Sequence, residues 1–120
     1  MKISASTGIA IATVGIALAS FSLSARADCA YPKPPTVMPD GKTASEAEML
    51  DAMKAFKDYN DQVSAFGACL EQETKSKAAG TAQLMQLKTL QMKKHNAAVD
   101  ELQSKARQFN EQVRLYKTRA

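Results

Sequence analysis

One feature constrains the fold of this 120-residue chain more than any other: its apolar residues recur in alternating steps of three and four. In the middle of the chain they lie at Met49, Ala52, Phe56, Tyr59, Val63, Phe66 and Leu70. This spacing places them on one face of an α-helix, whereas a half-buried strand alternates with a period of two. Ser45 and Glu48 form a capping box, the pair that satisfies free backbone N–H groups at a helix start. The sequence therefore predicts a first helix over residues 46–78.

The same alternation returns nearer the C-terminus and predicts a second helix over residues 82–117. Its apolar members are Met85, Met92, His95, Val99, Leu102, Ala106, Phe109, Val113 and Tyr116. Gly80 as a C-cap and Thr81 as an N-cap favour a turn between the helices. Each helix would be about 50 Å long, and matched lengths favour an antiparallel hairpin. The alternative is one continuous helix, because a glycine in a helix interior costs only about 1 kcal/mol.

Residues 28–44 contain all four prolines of the chain, at Pro32, Pro34, Pro35 and Pro39. Prolines at this density are incompatible with a helix or a central strand. Asp40 and Gly41 follow the last proline and are typical turn residues. This segment is predicted to be an extended arm that ends in a turn just before the first helix.

The N-terminus has the layout of an export signal. Lys2 precedes an apolar run at residues 9–21, and Ala25 and Ala27 supply the small side chains that a signal peptidase requires. We expect residues 1–27 to be a signal peptide cleaved after Ala27. The run of about 13 residues is short for a transmembrane helix, which needs about 20, so no membrane span is predicted.

Cys29 and Cys69 are the only two cysteines. In an exported chain two cysteines normally pair, and an intramolecular disulfide is favoured over an intermolecular bond or a catalytic thiol. The first helix from Ser45 to Cys69 is about 36 Å long. An extended arm of the available length spans about 47 Å, so it is able to fold back and reach Cys69.

Charge is divided unevenly between the two predicted helices. Residues 28–74 carry four lysines and nine carboxylates, a net charge of −5, whereas residues 75–120 carry ten lysines and arginines and three carboxylates, a net charge of +7. Unlike charges favour an acidic first helix lying along a basic second one.

The residues that catalysis usually requires are scarce. The chain has one histidine, no tryptophan, no glycine-rich phosphate loop and no Cys-x-x-Cys-His haem motif. We therefore expect neither an enzyme nor a bound cofactor, and we assign no metal ligands. An alternative function is copper handling by Met92 and His95, which are three residues apart and so share a helix face. The simpler interpretation places both residues in the hydrophobic seam between the helices.

The basic second helix suggests a partner-binding surface centred on Lys93, Lys94, Lys105 and Arg107. For an exported protein, an anionic envelope component or an unfolded client protein is the expected partner, and nucleic acid is not. The alternative is a solvated face that pairs with the acidic first helix.

Cys29, the segment Tyr31-Pro32-Lys33-Pro34-Pro35, the turn Pro39-Asp40-Gly41, the helix start at Ser45 and the later Ala68-Cys69-Leu70 form a recognisable pattern. This pattern resembles uncharacterised small exported proteins of Gram-negative bacteria, and the resemblance implies a periplasmic location. The architecture also resembles, more loosely, periplasmic holdase chaperones, without the Leu-Thr-x-x-Gln repeat found among them. The sequence thus predicts an all-α, non-enzymatic interaction protein. Its apolar stripe is wider than one partner helix covers, which favours a homodimer.

Overall fold

The computed structural model describes residues 29–120, which contain two α-helices and no strand. Helix α1 spans Glu46–Lys77 and helix α2 spans Thr81–Thr118. The predicted helices are confirmed to within one residue at each end. The predicted signal peptide, residues 1–27, lies outside the described residues, as does Asp28.

The two helices form an antiparallel hairpin. Phe56 of α1 stacks on Phe109 of α2 with ring centroids 4.7 Å apart. Nearer the turn, a Cβ atom placed on Gly67 would lie 2.7 Å from Nε2 of His95. The residue numbers of the contacting residues therefore decrease along α2 as they increase along α1, which is the pattern of antiparallel helices. The chain leaves the helical conformation at Ala78 and re-enters it after Gly80, so the single continuous helix is excluded.

Local capping fixes the start of α1. The backbone N–H of Glu48 donates to Oγ of Ser45 at 3.2 Å, and the Ser45 N–H donates to the Glu48 carboxylate at 2.6 Å. The predicted capping box is thus confirmed. The pKa of Glu48 is lowered because its carboxylate accepts hydrogen bonds first from the Ser45 backbone and then from the Ser45 side chain, and these favour the charged form. At the start of α2 the N-cap is Gly80, which has no side chain to cap with, and Thr81 is already the first helical residue.

The core follows the predicted face of α1 closely. All seven apolar residues of that face are buried, and Tyr59 is only 1% exposed. In α2 only Ala98 and Phe109 are buried to the same degree, and no residue from Thr81 to Ala97 is. Helix α2 is therefore packed more tightly against α1 from Ala98 onwards than it is near the turn.

The predicted seam of α2 is wrong in its first half. Met85 and Met92 are 66% and 62% exposed, whereas Leu84, Leu87 and Gln91 are partly covered. A strict seven-residue series drifts by about 20° per heptad around a straight α-helix. Over the four heptads from Val113 back to Met85 the drift is about 80°, which rotates the methionines away from α1.

The arm is tied to α1 by the predicted disulfide. Cys29 is bonded to Cys69, with Cα atoms 5.8 Å apart. Beside this bond, Tyr31 packs edge-on against Phe66 at 5.4 Å between ring centroids. Its hydroxyl donates to the Glu101 carboxylate of α2 at 3.1 Å. Burial and then this hydrogen bond raise the pKa of Tyr31, and the arm thereby contacts both helices.

The other end of the arm is anchored on α2. Gly41 donates its N–H to Oε1 of Gln112 at 2.9 Å. The guanidinium of Arg119 donates to the carbonyl oxygen of Ala44 at 2.7 Å. A Cβ atom on Gly41 would lie 1.9 Å from the backbone oxygen of Gln112. Only glycine allows the turn to approach the α2 backbone this closely.

Gly41→Ala is accordingly expected to lower the free energy of unfolding by about 2–3 kcal/mol, since the added methyl group meets backbone that cannot yield. Urea denaturation followed by circular dichroism measures this change. Gly80→Ser is the matched control, because no atom lies within 4 Å of the added Cβ, and a serine N-cap should be neutral or stabilising by a few tenths of a kcal/mol. Equal stability of Gly41→Ala and wild type would contradict the close approach.

Candidate functional site

The four predicted partner-binding residues are distributed over two sides of α2. At 3.6 residues per turn, Lys94 and Lys105 lie about 20° apart around the helix axis, and Lys93 and Arg107 about 40° apart. The two pairs are separated by about 130°. Lys94 lines a cleft against α1, and Lys105 is half-buried, whereas Lys93 and Arg107 face solvent. The four charges thus form one basic helix but not one basic face.

Ion pairs between described residues run along the helices and do not join α1 to α2. Those within residues 29–120 are Lys57–Asp61, Lys75–Glu71, Lys77–Glu73 and Arg114–Glu111, each three or four residues apart in one helix. Exposed pairs of this kind contribute little to stability. Within the described chain, the contact between the helices therefore depends on packing of the core and on the arm, and those lysines of α2 that lie outside these pairs remain available to a partner.

Lysines are concentrated around the turn. We use the name hairpin tip for residues 74–99, which comprise the end of α1, the turn and the first half of α2. The hairpin tip contains five lysines and no carboxylate. None of the ion pairs between described residues involves Lys88, Lys93 or Lys94. Sequence reasoning singled out Lys93 and Lys94 but missed Lys88, although the absence of acids from this stretch was a readable signal.

The hairpin tip also exposes apolar side chains. Met85 and Met92 are both well exposed, and Leu90 is 48% exposed on the other side of α2. Beside Leu90, a cleft of about 260 Å³ opens between the helices, with Leu70 and Leu87 in its walls. Apolar groups interspersed with unpaired lysines make this end of the molecule amphipathic.

The two residues of the alternative copper site, Met92 and His95, differ in their surroundings. His95 is half-buried, and its ring occupies the space that Gly67 leaves open. Met92 is largely exposed. Among residues 29–120, no three His, Cys, Asp or Glu side chains converge in a way that could hold a metal ion. Packing of the His95 ring into the space beside Gly67 is therefore enough to explain the position of His95.

A second cleft, of about 670 Å³, lies between the arm and the start of α1. Its polar groups include the carboxylates of Asp40, Glu48 and Asp51. Two of these already have structural roles, because Asp40 accepts from the backbone N–H of Lys42 and Glu48 completes the capping box. The lining has neither histidine nor cysteine, so the general base or nucleophile most often found in an active site is missing there.

Comparison with known proteins gives no relative: no family model, no curated protein and no solved structure matches this chain. In the part of the chain that the structure describes, neither helix is both long and apolar enough to cross a membrane.

Proposed function

We propose that this protein is a non-enzymatic binding protein of the periplasm and that its basic helix α2 recognises an anionic envelope component. The observation that carries the proposal is the group of lysines in the first half of α2, Lys88, Lys93 and Lys94, none of which takes part in an ion pair between described residues. Positive charge concentrated in this way attracts anionic partners and accelerates their association. The Cys29–Cys69 disulfide supports an oxidising compartment.

The molecule is well suited to presenting a surface. The disulfide holds the arm on α1 at Cys69, and the Phe56–Phe109 stack joins the two helices farther from the turn. Residues 81–97 at the start of α2 include no buried residue, and they carry Lys88, Lys93 and Lys94, which take part in none of the ion pairs between described residues. This division leaves the basic end free to meet a partner without loss of the core.

Reversal of four charges tests the proposal. Lys93→Glu, Lys94→Glu, Lys105→Glu and Arg107→Glu, combined in one variant, should weaken binding to isolated envelope fractions by more than about tenfold, because each reversal changes the local charge by two units. Wild-type binding should also fall with added salt, since exposed charges are screened over about 8 Å at physiological ionic strength. Co-sedimentation with envelope fractions measures both effects.

The matched control reverses four lysines outside the hairpin tip, Lys33, Lys42, Lys54 and Lys117, all of them exposed. It has the same net charge as the test variant, so only the location differs. Circular dichroism must show that both variants remain helical. Salt-insensitive binding, or equal binding by the two folded variants, would contradict the proposal.

A further inference from the structure

We infer that one face of the hairpin tip docks on the surface of an anionic phospholipid bilayer. The face consists of Met85, Lys88, Met92 and Lys93, and we call it the tip face. This inference rests on the proposed function and assigns both the surface and the partner. The experiment below therefore distinguishes failure of this inference from failure of the proposed function.

The two methionines of the tip face are not used by the core. Met85 and Met92 lie two turns apart on α2 and are both more than half exposed. Together with Lys88 they fall within about 60° of one another around the helix axis. The packed side of α2 is turned away from them, because it runs through Ala98 and Phe109. The two methionines thus form a short apolar stripe within the tip face, and this stripe points to solvent.

Lysines flank this stripe. Lys88 lies between the two methionines along the helix, and Lys93 borders Met92 on the other side. Neither lysine takes part in an ion pair between described residues. A lysine at the edge of an apolar stripe keeps its ammonium group at the level of lipid headgroups while its methylene groups follow the apolar surface. The tip face therefore has the pattern of a helix that lies in a membrane interface.

Charge and composition favour a bilayer over a protein partner. Stable protein–protein interfaces bury about 800 Å² on each partner, are enriched in aromatic residues, methionine and arginine, and are depleted in lysine. The hairpin tip contains no phenylalanine, tyrosine, tryptophan or arginine. A bilayer supplies anionic headgroups directly beside an apolar layer, which matches lysines set beside methionines. The absence of carboxylates from residues 74–99 also removes the repulsion that an anionic surface would otherwise meet.

Vesicle binding by the intact mature protein tests the inference. Wild type should bind phosphatidylglycerol vesicles and leave phosphatidylcholine vesicles unbound. Lys88→Gln with Lys93→Gln should weaken binding to phosphatidylglycerol by about 25-fold, because each lysine near an anionic surface contributes about fivefold. Met85→Gln with Met92→Gln should abolish the fraction of binding that survives 0.5 M salt, since that fraction depends on apolar insertion. Glutamine keeps the helix propensity of both residues.

Matched controls make the same changes away from the hairpin tip. Leu50→Gln with Met53→Gln removes side chains that are 47% and 54% exposed in α1. Lys54→Gln with Lys117→Gln removes two exposed lysines. Both controls should bind phosphatidylglycerol vesicles as wild type does.

Several outcomes would overturn the inference. Equal binding of wild type to both lipids would do so, and so would binding at the wild-type level by both tip-face variants. Sedimentation that shows a dimeric wild type and a monomeric methionine variant would mean that a second copy of the chain covers the tip face. If wild type binds envelope fractions in a charge-dependent and salt-sensitive way but does not bind phosphatidylglycerol vesicles, the proposed function stands and the lipid assignment fails. If it binds neither, both fail.

Discussion

Phe109→Ala is expected to lower the free energy of unfolding by about 3–5 kcal/mol, the cost of deleting a buried aromatic ring and leaving a cavity. Phe109 is one of only two fully buried residues that α2 contributes within the described chain, and it stacks on Phe56 with the rings 12° from parallel. Small domains have only about 5–15 kcal/mol of stability in total, so this variant should be close to unfolding at 37 °C. Urea denaturation followed by circular dichroism measures the loss.

A double-mutant cycle separates the stack from ordinary burial. Phe56→Ala should cost about the same as Phe109→Ala, and the double variant should cost less than the sum, because both single changes remove the same contact. Met53→Ala, at an exposed position of α1, serves as the control and should change stability by less than about 0.5 kcal/mol. Additive losses, or a loss under about 1 kcal/mol for Phe109→Ala, would contradict the assigned register.

Removal of the disulfide should have an effect of similar size through a different mechanism. Cys29 and Cys69 are 40 residues apart, and chain-entropy estimates for a loop of this length are about 4 kcal/mol. The variant Cys29→Ser with Cys69→Ser should therefore melt roughly 20 °C below wild type. It should nevertheless retain its helical circular dichroism at low temperature, because the contact between α1 and α2 does not depend on the bond.

Disulfide reduction in the wild-type protein provides the control, and it should reproduce the melting behaviour of the serine variant. An unchanged melting temperature would show that the arm contributes nothing to stability. Loss of helical signal at low temperature would show that the helices cannot form without the bond, which contradicts the expectation that the bond only holds the arm on α1.

The first helix and the disulfide could be predicted from the sequence because neither prediction requires knowledge of how the helices pack in space. The capping box at Ser45 and the apolar steps through Leu70 specify α1 without reference to the rest of the chain. The pairing of Cys29 with Cys69 follows from the presence of only two cysteines. In contrast, the docking of Gly41 on the α2 backbone arises only when the arm and α2 meet in space.

The candidate site was only partly predictable for the same reason. Composition alone shows that α2 is basic, but which lysines share a face depends on the direction in which α2 packs. A seven-residue repeat and a 3.6-residue helix diverge by about 20° per heptad. The structure therefore buries Ala98, which the sequence pattern omitted, and exposes Met85 and Met92, which the pattern had placed in the seam.

Hydrogen–deuterium exchange of the intact protein, with and without phosphatidylglycerol vesicles, is the most direct test of the central claim. The claim is that the first half of α2 binds a partner while the rest of the hairpin stabilises the fold. Without vesicles, backbone amides of residues 81–97 should exchange faster than those of residues 98–116, because both buried residues of α2, Ala98 and Phe109, lie in the second of these segments. With vesicles, exchange should slow at residues 85–93 and remain unchanged at residues 46–66. Slowing confined to residues 98–116 or 46–66, or no slowing anywhere, would contradict the claim.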